Sequence, residues 1–158
     1  MTIKTLEDLF IHDLSDVYSA EKQIIRALPK MARAAIDPKL VAAFNQHLEE
    51  TQGQIERLDQ LVESTEGVRI KRMKCHALEG LAEEAQEIID SVEAGPVRDA
   101  GLIGAAQKVE HYEIATYGTL LALAKKLGYK EAAKLLEATL KEEKATDEKL
   151  SVISDQQP

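Results

Sequence analysis

IGAAQKVEHYEIATYGTLLALA, residues 103–124, is the stretch on which the architecture turns. Ile103, Ala106, Tyr117, Leu120 and Ala124 recur at intervals of three and four, the period of a helix laid along a hydrophobic core. Glu110 and Glu113 stand on that same stripe, midway along it. A helix of about six turns whose core face is broken by acids at mid-length predicts a bundle of long helices around a polar interior layer.

The flanking sequence repeats the pattern. Spacing predicts helix A over 5–35, with Thr5 and Asp8 as a capping box and the stripe Leu6, Phe10, Asp13, Val17, Glu21, Ile24, Leu28, Met31. Pro29 lacks an amide hydrogen and predicts a bend. Asp37-Pro38 reads as an N-cap followed by proline in the first turn. It opens helix B over 38–65, with Leu40, Phe44, His47, Glu50 or Thr51, Gln54, Leu58 and Leu61 on one side. The crossover, 66–95, holds a basic stretch and then a shorter amphipathic helix within 76–93. Helix C covers 97–127 and stops at Gly128. Helix D covers 130–153 on the stripe Ala133, Leu136, Leu140, Glu143, Asp147, Leu150, and 156–158 read as a frayed tail. Two helical hairpins joined by one long connection form the ferritin-like topology. Residues 1–158 are therefore expected to make one all-α domain, a four-helix bundle whose B–C crossover carries a short fifth helix. An offset of 92 residues pairs Val17 with Val109, Glu21 with Glu113, Leu28 with Leu120, Glu50 with Glu142 and Leu58 with Leu150, so A–B and C–D read as equivalent halves.

Each helix carries an acid near its middle, and antiparallel packing brings these to one height. Unpaired buried carboxylates are costly, and clustering like charges adds to the cost. Either some acids keep their protons, or a divalent cation holds them together. Carboxylate-rich sets suit manganese and iron, and two metals bridged by glutamates are an established arrangement within bundles. The expected ligands are Glu21, Glu50, Glu110, Glu113, Glu143 and Asp147, around two divalent iron or manganese ions. On helix D the repeat favours Glu142 and the stripe favours Glu143; the stripe is followed. His47, Gln54 and Tyr117 are expected beside the ligands as orienting partners. The plainer alternatives stand alongside: a glutamate whose stem packs while its head reaches water, a core histidine that is simply hydrogen-bonded, and tyrosines with satisfied hydroxyls.

The chain has 158 residues with a formal charge of −8, which argues against nucleic acid or an anionic membrane as partner. It shows no signal-peptide pattern and no span-length apolar run, and its single cysteine, Cys75, precludes an intrachain disulfide; the expected compartment is the cytoplasm. Arg69, Lys71, Arg72 and Lys74 form a basic cluster, either a dock for an acidic partner or a phosphate or, the plainer reading, a solvated crossover loop; Arg72 and Lys74 act to lower the pKa of Cys75, whose plainer reading is still an inert thiol. Leu78, Leu81, Ala85, Ile88 and Ile89 give the crossover helix an apolar face, to cover the bundle or to contribute to a symmetric homodimer. No phosphate-binding glycine motif, zinc spacing or nucleophile elbow is present.

The strings HLEETQGQIERL, RIKRMKC, AAQKVEHYEIATYGTL and EEKATDEKL closely resemble the YciF-like bacterial stress-response proteins, over almost the whole chain from Lys4 to Ile153. The resemblance implies a ferritin-like or rubrerythrin-like bundle, dimeric and bacterial. On the ferritin-like pattern, Glu21 and Glu113 look like the lone carboxylates of the first and third helices, and Glu50 and Glu143 like the bridging ones. The chain departs from that pattern in having no Glu-x-x-His: Gly53 follows Glu50 by three residues and Thr146 follows Glu143. Gln54 and Asp147, one residue further on, face the same way. Glu110-x-x-Glu113 supplies an extra acid, as in an acidic rubrerythrin variant. Two functions remain open. One is a stress-associated protein with a dinuclear centre reacting with peroxide or oxygen; the other is a non-enzymatic structural or interaction protein with a vestigial centre. No particular enzymatic reaction follows from the residues.

Overall fold

Thr5 starts the first helix as its spacing predicts. Its hydroxyl accepts from the Asp8 amide at 3.0 Å, and Asp8 Oδ2 accepts from the Thr5 amide at 3.2 Å, so each side chain satisfies a backbone donor the helix cannot. The structure, a computed structural model, describes residues 2–158. Its helices are α1 Leu6–Ala34, α2 Pro38–Ser64, α3 His76–Ser91, α4 Pro96–Leu127 and α5 Lys130–Gln156, and among the described residues there is no strand. The α1 helix runs unbroken through Pro29, and α5 continues to Gln156, past its expected end. Gly128 closes α4 in the left-handed conformation (φ 76°), which lets the Tyr129 amide reach the Ala124 carbonyl at 2.9 Å and turns the chain straight into α5.

The α1 helix packs on α2 and α4, and α5 packs on the same two, closing a four-cornered bundle. The α3 helix lies across α1 and α4. Leu78 and Ala85 are buried under it, so its apolar face covers the bundle. Gly101 makes the approach possible: a Cβ there would meet Ile88 Cγ2 at 2.8 Å. The basic stretch before α3 runs extended along α1. Ser15 and Ser19 accept from the amides of Lys71 (2.8 Å) and Cys75 (3.0 Å), supplying partners that an unpaired strand lacks.

At the opposite end of α3, Asp99 is 1% exposed and accepts from the amides of Ile36 (3.0 Å) and Asp37 (2.8 Å), while Arg98 binds the carbonyls of Ala34, Ile89 and Val92. One turn of α4 thus pins both the α1–α2 corner and the end of α3. Nothing in the spacing announced this. Asp99→Ala is expected to destabilise the fold by about 2–3 kcal/mol, because two backbone amides lose their buried carboxylate acceptor. The check is a lower urea midpoint at an unchanged slope.

The core is in two blocks. Phe10, Leu14, Val17, Leu58, Leu61, Leu120 and Leu136 belong to one; Ile24, Leu28, Leu40, Phe44, Leu102, Ile103 and Leu150 belong to the other. The α1 stripe holds from Phe10 onward, but Leu6 is 47% exposed and Asp13 half-buried, with Leu14 taking the core position between Phe10 and Val17. Between the blocks lies the polar layer.

Candidate metal centre

In α1 the core sequence passes from Val17 to Ile24 through Glu21; in α4 it passes from Ala106 to Leu120 through Glu110, Glu113 and Tyr117; in α5 from Leu140 to Leu150 through Glu143. All four glutamates are at most 1% exposed. Helix α2 contributes His47, Thr51 and Gln54, also buried. His47, Glu110, Glu113 and Glu143 each place a donor atom within 4.8 Å of the others. That spread suits atoms on opposite sides of one divalent ion, at roughly 2.1–2.5 Å each.

Hydrogen bonding leaves this layer unsatisfied. Both oxygens of Glu113, both of Glu143, Glu110 Oε2 and Glu21 Oε1 are buried with no hydrogen-bond donor. His47 Nε2 lies 2.7 Å from Glu110 Oε1, close but not aimed as a ring N–H donation. Tyr117 donates to Glu21 Oε2 at 3.0 Å. A native interior rarely tolerates so many orphaned acceptors together. The donors are oxygens with one imidazole, they converge, and they lack partners, so the residues fit a hard or borderline cation such as manganese or iron.

Without a cation, protons must do the work. Burial pushes Glu21 up to about 7, although sharing a proton with Glu113 eases it. Burial pushes Glu110 up to about 8, with Glu143 as its proton-sharing partner and the charges of Glu21, Asp147 and Glu50 adding to the rise. Glu113 and Glu143 are driven well above the carboxylate range, first by burial and then by neighbouring acids. Burial likewise keeps the Tyr117 phenol protonated.

The structure sorts the expected residues into a centre and a rim. Glu21, Glu110, Glu113 and Glu143 lie inside. Glu50, expected among the ligands, is half-buried, accepts from Gln46 (3.2 Å) and Thr146 (3.4 Å), and stands outside the four-residue cluster. Asp147 bridges: Oδ2 meets exposed His111 at 3.2 Å, while Oδ1 is buried without a partner. Gln54 is buried and donates to Glu142 Oε1 at 3.2 Å. Glu142 itself is a flank residue: burial acts to raise its pKa, but two hydrogen bonds from Arg57, the shorter at 2.6 Å, outweigh that and hold it low. His47, expected as an orienting partner, joins the cluster. Its imidazole comes from three residues before Glu50 rather than three after, so a search for Glu-x-x-His passes over it. Arg57 was missed altogether.

Away from the layer, Tyr112 donates to Asp16 at 2.6 Å and Tyr18 to Asp59 at 3.0 Å, whereas Tyr117 donates to Glu21 within it. Cys75 is buried at the α3 N-cap, 3.1 Å from the Tyr112 hydroxyl. Burial raises its thiol pKa, overriding the lowering expected from Arg72 and Lys74; Lys74 pairs instead with Glu79. No helix among the described residues is long and apolar enough to cross a membrane.

A family profile described as a domain of unknown function, DUF892, matches residues 5–157. Protein YciF of Escherichia coli K12 is 67% identical over 151 residues, covering 96% of this chain and 91% of that protein. The crystal structure of the E. coli stress protein YciF matches with a TM-score of 0.94 at 66% identity, covering 96% of each chain. YcfI from Rhodopseudomonas palustris matches with a TM-score of 0.90 at 46% identity over 94% of each chain. A protein of Xanthomonas campestris, 23% identical with a TM-score of 0.75, shares the fold.

Proposed function

Since the chain belongs to the DUF892 family, we propose that it is a stress-associated metal protein whose mid-bundle acids hold divalent iron or manganese and present it to a small oxidant, peroxide or oxygen. One observation carries this reading: four donors from three helices, His47, Glu110, Glu113 and Glu143, converge within 4.8 Å while most of the acid oxygens have no donor. Glu21, buried beside Glu113, is the natural ligand for a second ion, and Asp147 Oδ1 is a further buried, unpartnered oxygen at the rim. A bound metal would supply Lewis acidity and electron exchange. The chain's own part is positional. Tyr117 fixes Glu21 through its hydroxyl, and the apolar blocks on either side keep bulk water away from the acids. Glu50, at the edge between α2 and α5, and Asp147, at the edge between α4 and α5, give an arriving cation carboxylates to follow inward.

Metal content and titration test it. Wild-type protein purified after growth with added iron or manganese is expected to carry about two ions per chain, as a carboxylate-bridged pair requires. Glu113→Ala should carry few or none. Protein that is folded and metal-free, and takes up neither ion on titration, would overturn the proposal.

A further inference from the structure

The two approaches to the cluster differ in chemistry. From the α5 side the approach is polar, through the Glu50–Thr146 pair between α2 and α5 and the His111–Asp147 pair between α4 and α5. From the opposite side, beneath the crossover helix, it is apolar. A small void there has a volume of about 20 Å³ and is walled by Ala27 and Leu28 of α1, Leu78 and Ala85 of α3, and Ala106 and Val109 of α4. Its only polar walls are His47 and Glu110, both members of the cluster.

Such a volume admits about one small molecule. A water molecule needs two to four polar partners to be held in a cavity, and only one end of this void offers any. Peroxide, with two donors and several acceptors, would lose most of its hydrogen bonds on entering. A diatomic gas loses none. Small residues at Ala27, Ala82, Ala85 and Ala106 keep the space open, where leucines at the same positions would close it. The outer wall, Ala27 and Ala82, is half-buried, so the void lies one side chain from solvent. We propose that the void beneath α3 is the entry and holding site for a small apolar gas of the dioxygen class, delivering it against His47 and Glu110; this rests on the oxidant-reactive reading of the same centre and narrows its oxidant to oxygen.

Xenon is the probe, because it occupies dry apolar cavities and needs no metal. Crystals of metal-free wild-type protein under xenon pressure should show the gas between Ala106, Val109 and His47. Ala82→Phe, which fills the outer wall, should lose that peak while its melting temperature stays close to wild type. An empty void in wild type overturns the proposal. In a second arm, the iron-loaded protein is offered dissolved oxygen or peroxide separately. Ala82→Phe should slow oxygen consumption several-fold and leave the peroxide rate unchanged; an equal effect on both, or on neither, also overturns it. Should the protein bind no metal at all, the proposed function fails, and the xenon arm still decides whether the void admits gas.

Discussion

Glu113→Leu is expected to make the metal-free protein more stable and to abolish metal uptake in the same step. Glu113 is fully buried, neither oxygen has a donor, and Glu143 and Glu21 face it with like charge. Apart from the proton it shares with Glu21, the site bears the desolvation of a carboxyl group without hydrogen bonds to offset it. Leucine has a similar volume and needs no partner, and swaps of this kind in buried charged clusters commonly gain about 1–4 kcal/mol. For a chain of this length, each kcal/mol moves the melting temperature by roughly 2–4 °C. One opposing effect is visible: Glu21 loses the neighbour with which it shares a proton, though it keeps the Tyr117 hydroxyl. Glu113→Ala separates this from mere removal of charge, because it leaves a cavity that costs stability. Thermal melts of wild type, Glu113→Leu and Glu113→Ala, with chelator and with manganese, provide the check. With metal the order of wild type and Glu113→Leu should reverse, since only wild type gains binding energy. A Glu113→Leu protein less stable than wild type under chelator would mean that the acid holds the bundle together through its own hydrogen bonds, which favours the structural reading of the chain over the metal one.

Most of this layer could be read from periodicity alone, because a buried glutamate among Val, Ile and Leu at helical spacing breaks an otherwise regular stripe. Glu50, which the structure holds half-buried and outside the four-donor cluster, shows where that reading stops. An offset of 92 residues relates the two hairpins, and it sets Glu50 against Glu142 and Thr51 against Glu143. Choosing Glu143 on α5 therefore implied Thr51, not Glu50, on α2. The structure bears this out: Thr51 and Glu143 are both fully buried, and Glu50 and Glu142 are both on the flank. A one-residue shift rotates a helical position by about 100°, enough to move a carboxylate from core to rim, so the frame has to be fixed in both halves together. His47 was legible as a stripe residue but not as a neighbour of Glu110, because that contact spans two helices not adjacent in the bundle. Arg98 and Asp99 were not legible at all. The partners of Asp99, and Ala34 among those of Arg98, are backbone groups at a corner more than sixty residues away in the chain, and a side chain bound to backbone leaves no trace in the partner's sequence.

The stability of the metal-free protein should fall as pH rises from about 4.5 toward 8, against the usual behaviour of acidic proteins. In the unfolded chain the glutamates release their protons near their ordinary value of 4.5; in the folded chain Glu21 holds on to about 7, Glu110 to about 8, and Glu113 and Glu143 beyond the ordinary range. Within that window the folded state binds more protons than the unfolded one, so the slope of stability against pH is negative. Each group still protonated in the fold and ionised outside it removes about 1.4 kcal/mol per pH unit. Below the window the trend turns over, because Glu142, held low chiefly by Arg57, begins to lose its charge. Melting temperatures from pH 4.5 to 8 in chelator should therefore decline from a maximum at the acid end. Manganese should change the sign. On the proposed reading the cation would bind the ionised carboxylates, its uptake would expel the retained protons, and its affinity would grow as pH rises. Saturated protein should keep or gain stability toward pH 8, and titration in weak buffer should release protons on metal addition. A flat profile in chelator, with no proton release on adding manganese, would mean that the acids are already ionised and hydrated, and that the layer is open to water rather than built to exchange protons for metal.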